Sequence, residues 1–366
     1  MKILLSGYYG FDNAGDEAVL YAIISALREN VPNGEITVLS NQPEKTAAEY
    51  GVRAVNRWGK LSLVKEIKAC DVFISGGGSL LQDVTSKNGI LYYLGLIYLA
   101  EKLGKKVLIY AQGIGPIQTP RNWRLTKKIL NKTHGITVRD FASRQLLMQM
   151  GVYREINVCA DPVWGINPQS IKREHGEEIL RQYIDEEKLG EKVMMLAVRN
   201  WQDSAATFAE IAESCDNFAA EGWQIVFVPF HYPEDVEAGK AAASLMKQQA
   251  VVLDGNYSPE ETMEILANGD LVIAMRLHGL IMGSVLRKPI VAISYDPKVD
   301  SFMQLLRNPY CLPVAQLQHE KLEQMVQKAW QNKEREMKQL TQFAEIFAAQ
   351  AKEPAKMVQQ LVGAGK

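Results

Sequence analysis

Short apolar runs rich in β-branched residues alternate with helix-forming segments along the whole sequence. In the first half these runs are KILLSG, EITVLS, DVFISGG, KKVLIYAQG and GITVR. After CADPVWGINPQ, which contains two prolines and a glycine, the alternation restarts with KVMMLAVRN, WQIVFVPF, AVVLDG, DLVIAMR and PIVAISYD. A helix between successive strands is the connection that parallel strands require. The sequence therefore predicts an α/β protein with two doubly wound, Rossmann-like domains.

The length of the chain also favours two domains, because 366 residues exceed the size at which one hydrophobic core usually stops growing. We place an N-terminal domain at residues 1–165 and a second domain at 166–345. We expect a helix at 346–366 that returns to the first domain. Ligands of doubly wound sheets bind beyond the carboxyl ends of the strands. The expected site is a cleft between the two sheets, lined by residues that follow strands of both halves.

Composition excludes several classes of protein. Apolar residues make up 47% of the chain and charged residues 23%, which is typical of a globular protein. The formal net charge of −1 argues against broad binding of nucleic acid. The four cysteines are far apart, so neither a disulfide framework nor a zinc site is expected. The sequence thus predicts a reduced, cytoplasmic protein without a metal ion.

The apolar segments are too short for a signal peptide or a membrane span. MKILLSGYYG reaches glycine after a brief apolar run, and GILYYLGLIYLAEKLG is short and interrupted. RNWRLTKKILNKTH, residues 121–134, alternates cations with apolar side chains. This pattern is typical of a helix that lies on an anionic membrane, and equally of a solvated helix that packs on a sheet. Any membrane contact is therefore expected to be peripheral.

The segment SGYYGFDNAGDEAVL, residues 6–20, joins a predicted strand to a predicted helix. Its glycines allow a ligand to approach the backbone, and Asn13 and Asp16 are polar groups near the helix start. Tyr8 and Phe11 suit a flat partner such as a sugar ring. The spacing matches neither a dinucleotide fingerprint nor a P-loop. The structural alternative is a tight turn in which Asp16 caps the helix.

Two further strand ends in the first half carry candidate residues. FISGGGSLLQD places Gly77 and Gly78 directly after a buried strand, where exposed amides could bind an anion or a hydroxyl group. The alternative is a loop that simply turns sharply. TVRD places Arg139 at the end of the next strand but one. A role for Arg139 in substrate binding and an ion pair with Asp140 are both open.

Three strand ends in the second half carry cationic or titratable side chains. Arg199 follows the apolar run MMLAV, where a guanidinium group favours anion binding over a surface ion pair. His231 follows VFVPF, and Lys298 follows AISYDP. A single histidine at such a place is more often structural than catalytic, and the same holds for Lys298.

The stretch AMRLHGLIMGS, residues 274–284, places Arg276 and His278 between a predicted strand and a predicted helix. The arginine charge and the positive end of the helix both disfavour a protonated imidazole in an empty site. A multiply charged anion bound there would reverse the local field. This pairing is unusual for a structural histidine and indicates an anionic ligand.

The motifs GYYGFDNAGDE, FISGGGSLLQD, YAQGIGP, TVRD and RLHGLIMG, in this order, resemble those of the polysaccharide pyruvyl transferases. The resemblance covers nearly the whole chain. It is closest to the bacterial enzymes that pyruvylate N-acetylmannosamine in secondary cell-wall polymers, to which S-layer proteins are anchored. It implies a GT-B-like fold and phosphoenolpyruvate as co-substrate, with no cofactor. The implied product is a 4,6-ketal of pyruvate on a hexose.

The resemblance also implies roles for individual residues. His278 matches the proposed general acid of the family, and Arg276 and Arg199 are expected at the phosphate and carboxylate of the donor. We assign Gly279 and Lys298 to the same donor site. Residues expected to contact the acceptor share positions after strands, and they are Tyr8, Phe11, Asn13, Asp16, Gly77, Gly78, Arg139 and His231. The implied acceptor is a lipid-linked oligosaccharide, which places the protein at the cytoplasmic face of the membrane.

Two other functions remain compatible with the sequence. A GT-B glycosyltransferase that uses a nucleotide sugar would share the fold and a basic diphosphate site. A non-catalytic glycan-binding protein could also use the same scaffold. Binding of a nucleotide would distinguish the first, and acceptor binding without turnover would distinguish the second.

Overall fold

The computed structural model describes residues 1–84, 88–184 and 192–363. The chain forms two compact units. Unit 1 comprises Met1–Phe11, Asp16–Ile166 and Ile346–Lys366, and unit 2 comprises Asp12–Gly15 and Asn167–Glu345. The last three residues of the predicted C-terminal helix, 364–366, lie outside the described residues.

Unit 1 contains, within its described residues, a seven-stranded sheet in the order β3-β2-β1-β4-β5-β6-β7. Its strands are β1 Lys2–Ser6, β2 Glu35–Ser40, β3 Arg53–Asn56, β4 Val72–Gly76, β5 Lys106–Gln112, β6 Gly135–Val138 and β7 Ile156–Val158. The helices between them are α1 Ala14–Asn30, α2 Pro43–Tyr50, α3 Lys60–Ala69, α4 Gly89–Lys102, α5 Pro120–Leu130 and α6 Phe141–Gln149.

Unit 2 contains, in the part described, a six-stranded sheet in the order β10-β9-β8-β11-β12-β13. Its strands are β8 Lys192–Ala197, β9 Trp223–Phe227, β10 Val251–Val252, β11 Leu271–Ala274, β12 Ile290–Ser294 and β13 Cys311–Pro313. The helices are α7 Arg173–Leu180, α8 Ser204–Ala220, α9 Glu234–Ala243, α10 Pro259–Ala267, α11 Leu277–Val285, α12 Pro297–Leu305, α13 His319–Gln331 and α14 Lys333–Gly363. Residues of α14 from Ile346 onward belong to unit 1.

All strand pairs in both sheets are parallel, and the predicted α/β class is confirmed. The strand order reverses around β1 in unit 1 and around β8 in unit 2. Such reversals are the points at which doubly wound sheets bind ligands. The central strands are buried on both faces, as all of Val72–Gly76 are, which explains why they appear as continuous apolar runs.

The structure also contains elements that the sequence pattern did not indicate. β3, β7 and β13 are edge strands of three or four residues, and the predicted strands did not include them. The terminal helix was predicted at 346–366, but α14 begins at Lys333. No glycine or proline interrupts residues 333–346, so nothing in that stretch stops a helix before the predicted start.

The packing of α7 on α10 in unit 2 depends on Gly176. A Cβ atom at this position would lie 2.0 Å from the backbone oxygen of Glu264 in α10. The two helices therefore approach so closely that no larger side chain fits between them. A backbone carbonyl held in a helix cannot rotate away, so relief would require the helices to separate.

We predict that Gly176→Ala destabilises the protein by about 1–3 kcal/mol, because overpacking of a backbone contact outweighs the better helix propensity of alanine. Gly95→Ala is the matched control, since Gly95 lies in α4 with nothing within 4 Å of an added Cβ. It should stabilise by about 0.5–1 kcal/mol. Denaturant unfolding of both variants measures the difference. An equal increase of the free energy of unfolding in both variants would contradict the close approach of the two helices.

Candidate active site

Charged and polar side chains follow the strands at the carboxyl edge of the unit 2 sheet. Arg199 follows β8, His231 follows β9, Arg276 follows β11 and Tyr295 follows β12. The order β9-β8-β11-β12 makes these strands neighbours, so their carboxyl ends lie side by side. Arg199 and Arg276, which were predicted for the donor site, and His231, which was predicted for the acceptor, thus follow strands at one edge of one sheet.

Arg276 is held by a buried carboxylate at this edge. It is the residue before α11, and its Nε donates to Oδ2 of Asp235 at 2.9 Å, while Nη2 donates to Oδ1 of the same group. The Asp235 side chain is 2% exposed and that of Arg276 is 15% exposed. Asp235 Oδ2 also accepts the backbone N–H groups of Phe230, at 3.2 Å, and His231, at 3.0 Å. One carboxylate therefore fixes the chain after β9 to the start of α11.

His278 lies in the first turn of α11 and packs on the segment Asp12–Gly15. That segment belongs to unit 2, because Ala14 N–H donates to the oxygen of Phe230 at 2.7 Å and Tyr232 N–H donates to that of Asp12 at 3.0 Å. A Cβ on Gly15 would lie 2.4 Å from Nδ1 of His278. Glycine at this position is required for the imidazole to occupy its place. The segment containing Gly15 and the motif containing His278 thus form one local structure.

Gly279 faces the sheet. A Cβ there would lie 3.1 Å from Cβ of Ala274 and 3.2 Å from Cβ of Ala197, so α11 sits close to the ends of β11 and β8 over small side chains. This packing accounts for a glycine without any ligand. It also brings the first backbone N–H groups of α11 near the sheet edge, where a helix start favours an anion. Its assignment to the donor site stays a prediction.

Arg199 lies among aromatic and hydroxyl groups and has no carboxylate partner among the described residues. Its Nη1 donates to the Tyr295 hydroxyl at 2.7 Å. Its guanidinium carbon lies 4.8 Å from the ring centre of Tyr295 and 5.7 Å from that of Trp201. Lys298 Nζ is 5.9 Å from the same Tyr295 ring and 3.3 Å from Asp296 Oδ2. Arg199 therefore contributes a positive charge that no described carboxylate neutralises.

His231 and Asn13 pair through a short antiparallel bridge in unit 2. Nδ1 of His231 lies 3.5 Å from Oε2 of Glu234. Asn13 Oδ1 accepts the N–H of Gly15 at 3.1 Å, so Asn13, and not Asp16, occupies the capping position at the start of α1. These two predicted acceptor residues thus lie together, and each has a structural partner.

In unit 1 the predicted acceptor residues Tyr8 and Phe11 lie in the loop after β1. The rings of Tyr8 and Phe11 stack at 4.1 Å between centres with an angle of 8°. Gly10, with φ of 76°, donates its N–H to Glu17 Oε1 at 2.7 Å. Burial raises the pKa of Glu17 to about 7, although hydrogen bonds from Gly10 and Tyr50 oppose the rise. Glu17 thereby anchors the loop that carries the aromatic pair.

Packing explains the glycines after β4 and the arginine after β6. A Cβ on Gly77 would lie 2.0 Å from Cγ1 of Val19, and Gly78 has φ of 75°. Arg139, whose side chain is 7% exposed, donates to Asp161 Oδ2 at 3.0 Å and to Ser79 Oγ at 2.9 Å. These contacts give the predicted acceptor residues structural roles, but the main carboxylate partner of Arg139 is Asp161, because Asp140 Oδ2 lies 3.9 Å from its Nε. Substrate contact by any of them remains a prediction.

Two charged residues at these edges were not among the site residues predicted from the sequence. Asp235 lies in the acidic first turn of α9, and no feature of the sequence indicated that its side chain is buried. Its partner Arg276 is distant in sequence. Arg57 is 3% exposed and follows β3, the edge strand that was not predicted. For Arg57 the available signal was weak, because the preceding run RAVN is polar at both ends and does not alternate.

Within residues 1–84, 88–184 and 192–363, no group of three His, Cys, Asp or Glu side chains is placed to hold a metal ion. The helices of this part of the chain include none that is both long and apolar enough to cross a membrane.

We predict that Asp235→Asn destabilises the protein by about 3–5 kcal/mol, because the Arg276 guanidinium would lose its buried counter-charge. Arg276→Lys should also destabilise, since lysine cannot bridge both carboxylate oxygens. Arg181→Lys is the control, because its pair with Glu177 is surface-exposed at 49% and 40%. That change should cost less than about 0.5 kcal/mol. Urea unfolding measures all three, and equal effects in the two arginine variants would contradict a buried anchor.

The sequence of the chain matches a known family, and its fold matches known structures. The family model for polysaccharide pyruvyl transferase matches residues 13–297. None of the curated proteins matches the sequence significantly. The UDP-GlcNAc 2-epimerases of Neisseria meningitidis and Methanocaldococcus jannaschii share the fold, at 12% and 13% identity and TM-scores of 0.67 and 0.68. The first alignment covers 100% of both chains, and the second covers 100% of this chain and 99% of the other.

The ADP-heptose lipopolysaccharide heptosyltransferase II of Escherichia coli is also similar, with 12% identity, a TM-score of 0.54, and coverage of 91% of this chain and 100% of that one. These likenesses establish a GT-B-like fold. The family match spans most of the chain, including the Asn13–Gly15 segment and the Arg276–His278 motif. The protein therefore belongs to the polysaccharide pyruvyl transferase family.

Proposed function

We propose that this protein transfers the pyruvyl group of phosphoenolpyruvate to two hydroxyl groups of a hexose and forms a 4,6-ketal. The family membership supports a transferase acting on a polysaccharide or its precursor. The observation that carries the proposal is His278, which lies at the start of α11 beside the anchored Arg276 and against Gly15. A titratable side chain in this position can act as a general acid toward a bound anion.

The donor site in this proposal is the cationic edge of unit 2. Phosphoenolpyruvate carries about three negative charges near neutral pH, so it needs several positive partners. Arg199 offers a guanidinium group without a described counter-charge, and the α11 amides add a positive helix end. Arg276 donates through Nε and one Nη2 hydrogen to Asp235, which leaves Nη1 and the second Nη2 hydrogen as its donors for a ligand. Lys298 Nζ lies 3.3 Å from Asp296 Oδ2, and this ion pair makes Lys298 a weaker candidate than Arg199.

The chemistry requires one proton donor and no redox change. His278 donates a proton to the methylene carbon of phosphoenolpyruvate, which becomes a methyl group and leaves an oxocarbenium-like centre at C2. One sugar hydroxyl attacks C2, phosphate leaves with its bridging oxygen, and the second hydroxyl closes the ketal. Of the two hydroxyl protons, one restores His278 and the other leaves with phosphate. The bound anion stabilises the imidazolium that the first step needs.

The acceptor in this proposal is N-acetylmannosamine of a lipid-linked cell-wall precursor, of the kind used to anchor S-layer proteins. The stacked rings of Tyr8 and Phe11 support a sugar partner, because aromatic faces suit the apolar face of a pyranose. A lipid-linked acceptor would bring the protein to the cytoplasmic face of the membrane.

A direct assay tests the function. The protein is incubated with phosphoenolpyruvate, a short lipid-like N-acetylmannosamine acceptor and EDTA, since the proposed chemistry needs no metal. Phosphate release together with a pyruvyl mass gain on the acceptor is expected. Release of a nucleoside diphosphate from a nucleotide sugar would instead favour a glycosyltransferase. Acceptor binding without turnover would favour a glycan-binding protein.

We predict that His278→Gln lowers kcat by about 10²- to 10⁴-fold, because glutamine can form hydrogen bonds but cannot protonate carbon. The donor KM should change little. His319→Gln is the control, because His319 contacts Glu210 and Glu213 on the exposed side of α8. His231→Gln is tested in parallel as the other histidine of this edge. A near-normal kcat in His278→Gln would exclude His278 as the acid.

We also propose that α5 contacts anionic lipid. Its exposed cations are Arg121, Arg124, Lys127 and Lys128, and Lys132 follows the helix, while Trp123 and Leu125 pack on the unit 1 core. Apart from Pro120 at its first position, the exposed side chains of α5 are therefore all cationic. Contact with an anionic surface would then be electrostatic and sensitive to salt.

Vesicle sedimentation tests this membrane contact. The double substitution Lys127→Glu/Lys128→Glu should weaken binding to anionic vesicles, by roughly 1 kcal/mol for each cation removed and more for each charge reversed. Added salt should weaken wild-type binding in the same way. Lys65→Glu/Lys68→Glu on α3 makes the same charge change at exposed positions elsewhere in unit 1. Equal binding by both double variants would rule out a specific role of α5.

A further inference from the structure

Arg57 in unit 1 is buried inside a group of aromatic rings. It follows β3 and is 3% exposed. Its guanidinium carbon lies 4.7 to 5.5 Å from four ring centres, which belong to Phe11, Trp58, Tyr92 and Tyr93. We call Arg57 with Phe11, Trp58 and Tyr92 the aromatic shelf. None of its members except Phe11 was a candidate from the sequence.

The charge of Arg57 is not neutralised by any carboxylate in the part of the chain that the structure describes. Nη1 donates to the backbone oxygen of Gly7 at 2.7 Å, and Nη2 donates to the Tyr93 hydroxyl at 3.1 Å. Nε is buried and has no hydrogen-bond partner among the described residues. A buried guanidinium with neutral partners is costly, and cation–π contacts offset only part of that cost. Such an arrangement is expected where a ligand completes the site.

The outer member of the aromatic shelf is exposed but fixed. Trp58 is 57% exposed, yet its Nε1 donates to Asn41 Oδ1 at 2.9 Å and its N–H donates to Asn56 Oδ1 at 2.8 Å. The ring of Tyr92 lies 5.4 Å from that of Trp58. A large aromatic ring held by hydrogen bonds loses little conformational entropy when a ligand stacks on it.

The aromatic shelf lies where this fold binds ligands. Phe11 follows β1, Asn41 follows β2 and Trp58 follows β3, and these three strands are adjacent in the sheet. Tyr92 comes from the first turn of α4, after β4. The shelf is therefore built from the carboxyl ends of neighbouring strands, at the edge that doubly wound sheets use for ligands.

We propose that the aromatic shelf is the sugar-binding subsite of unit 1, with Trp58 stacked on the apolar face of a hexose ring. The identification of that hexose as the acceptor rests on the proposed function. A pyranose presents C–H groups on one face and hydroxyl groups at its rim, which matches an indole face bordered by the Asn41 amide. The uncompensated charge of Arg57 behind the rings repels a cation. The shelf should therefore bind an N-acetylated or anionic sugar and reject an amino sugar that carries a free ammonium group.

Binding is measured without a donor, by saturation-transfer NMR and calorimetry, with the methyl glycosides of N-acetylmannosamine and mannosamine. The wild-type protein should bind the first and not the second. Trp58→Ala should weaken binding of the first by about tenfold, as loss of one stacked aromatic contact would. Trp58→Phe should keep most of the affinity. Leu61→Ala, at a 90% exposed position on the neighbouring α3, should bind as the wild type does.

Each outcome decides the proposal. Wild-type affinity in Trp58→Ala, equal binding of the two glycosides, or no binding of either by the wild type would overturn it. The proposed function is judged separately: sugar binding that depends on Trp58 without any pyruvyl transfer would remove the function and keep the shelf. Pyruvyl transfer with an unchanged acceptor KM in Trp58→Ala would do the reverse.

Discussion

The arrangement of the unit 2 edge depends on one buried ion pair, between Asp235 and Arg276. The carboxylate accepts from the guanidinium and from two backbone N–H groups after β9, so it joins three pieces of chain at one point. Removal of either charge would leave the other buried without a partner. Because Arg276 directly precedes α11, the pair also fixes the start of the helix whose second residue is His278. Its position against Gly15 follows from that anchor.

The two units use the same sheet plan but present different chemistry at their carboxyl edges. Unit 2 presents cations, of which Arg199 lacks a described counter-charge. Unit 1 presents aromatic rings around Arg57 and the stacked Tyr8 and Phe11. Guanidinium groups suit a small, highly charged donor, whereas fixed aromatic faces suit a sugar. This division of chemistry, and not the fold that it shares with epimerases and glycosyltransferases, is what supports a pyruvyl transfer.

The sequence predicted most of the fold, because central parallel strands are buried on both faces and appear as apolar runs. It did not reveal β3, β7 and β13, whose three or four residues at sheet edges carry too little apolar pattern. The failure to predict β3 mattered for the aromatic shelf, since Arg57 and Trp58 follow this strand. The motif around Arg276 and His278 was found because a cation and a histidine followed a clear strand.

The sequence by itself determined the parallel α/β architecture and the residues that lie at strand ends, because both follow from local patterns of apolar and polar residues. Only the tertiary structure decided which of those charges are neutralised. Asp235 lies 41 residues from Arg276 and Asp161 lies 22 residues from Arg139, and no local pattern connects them. Arg199 and Arg57 have no such partner among the described residues. An ion pair depends on distance in space, so the folded chain alone distinguishes an arginine that supports the structure from one that can bind an anion.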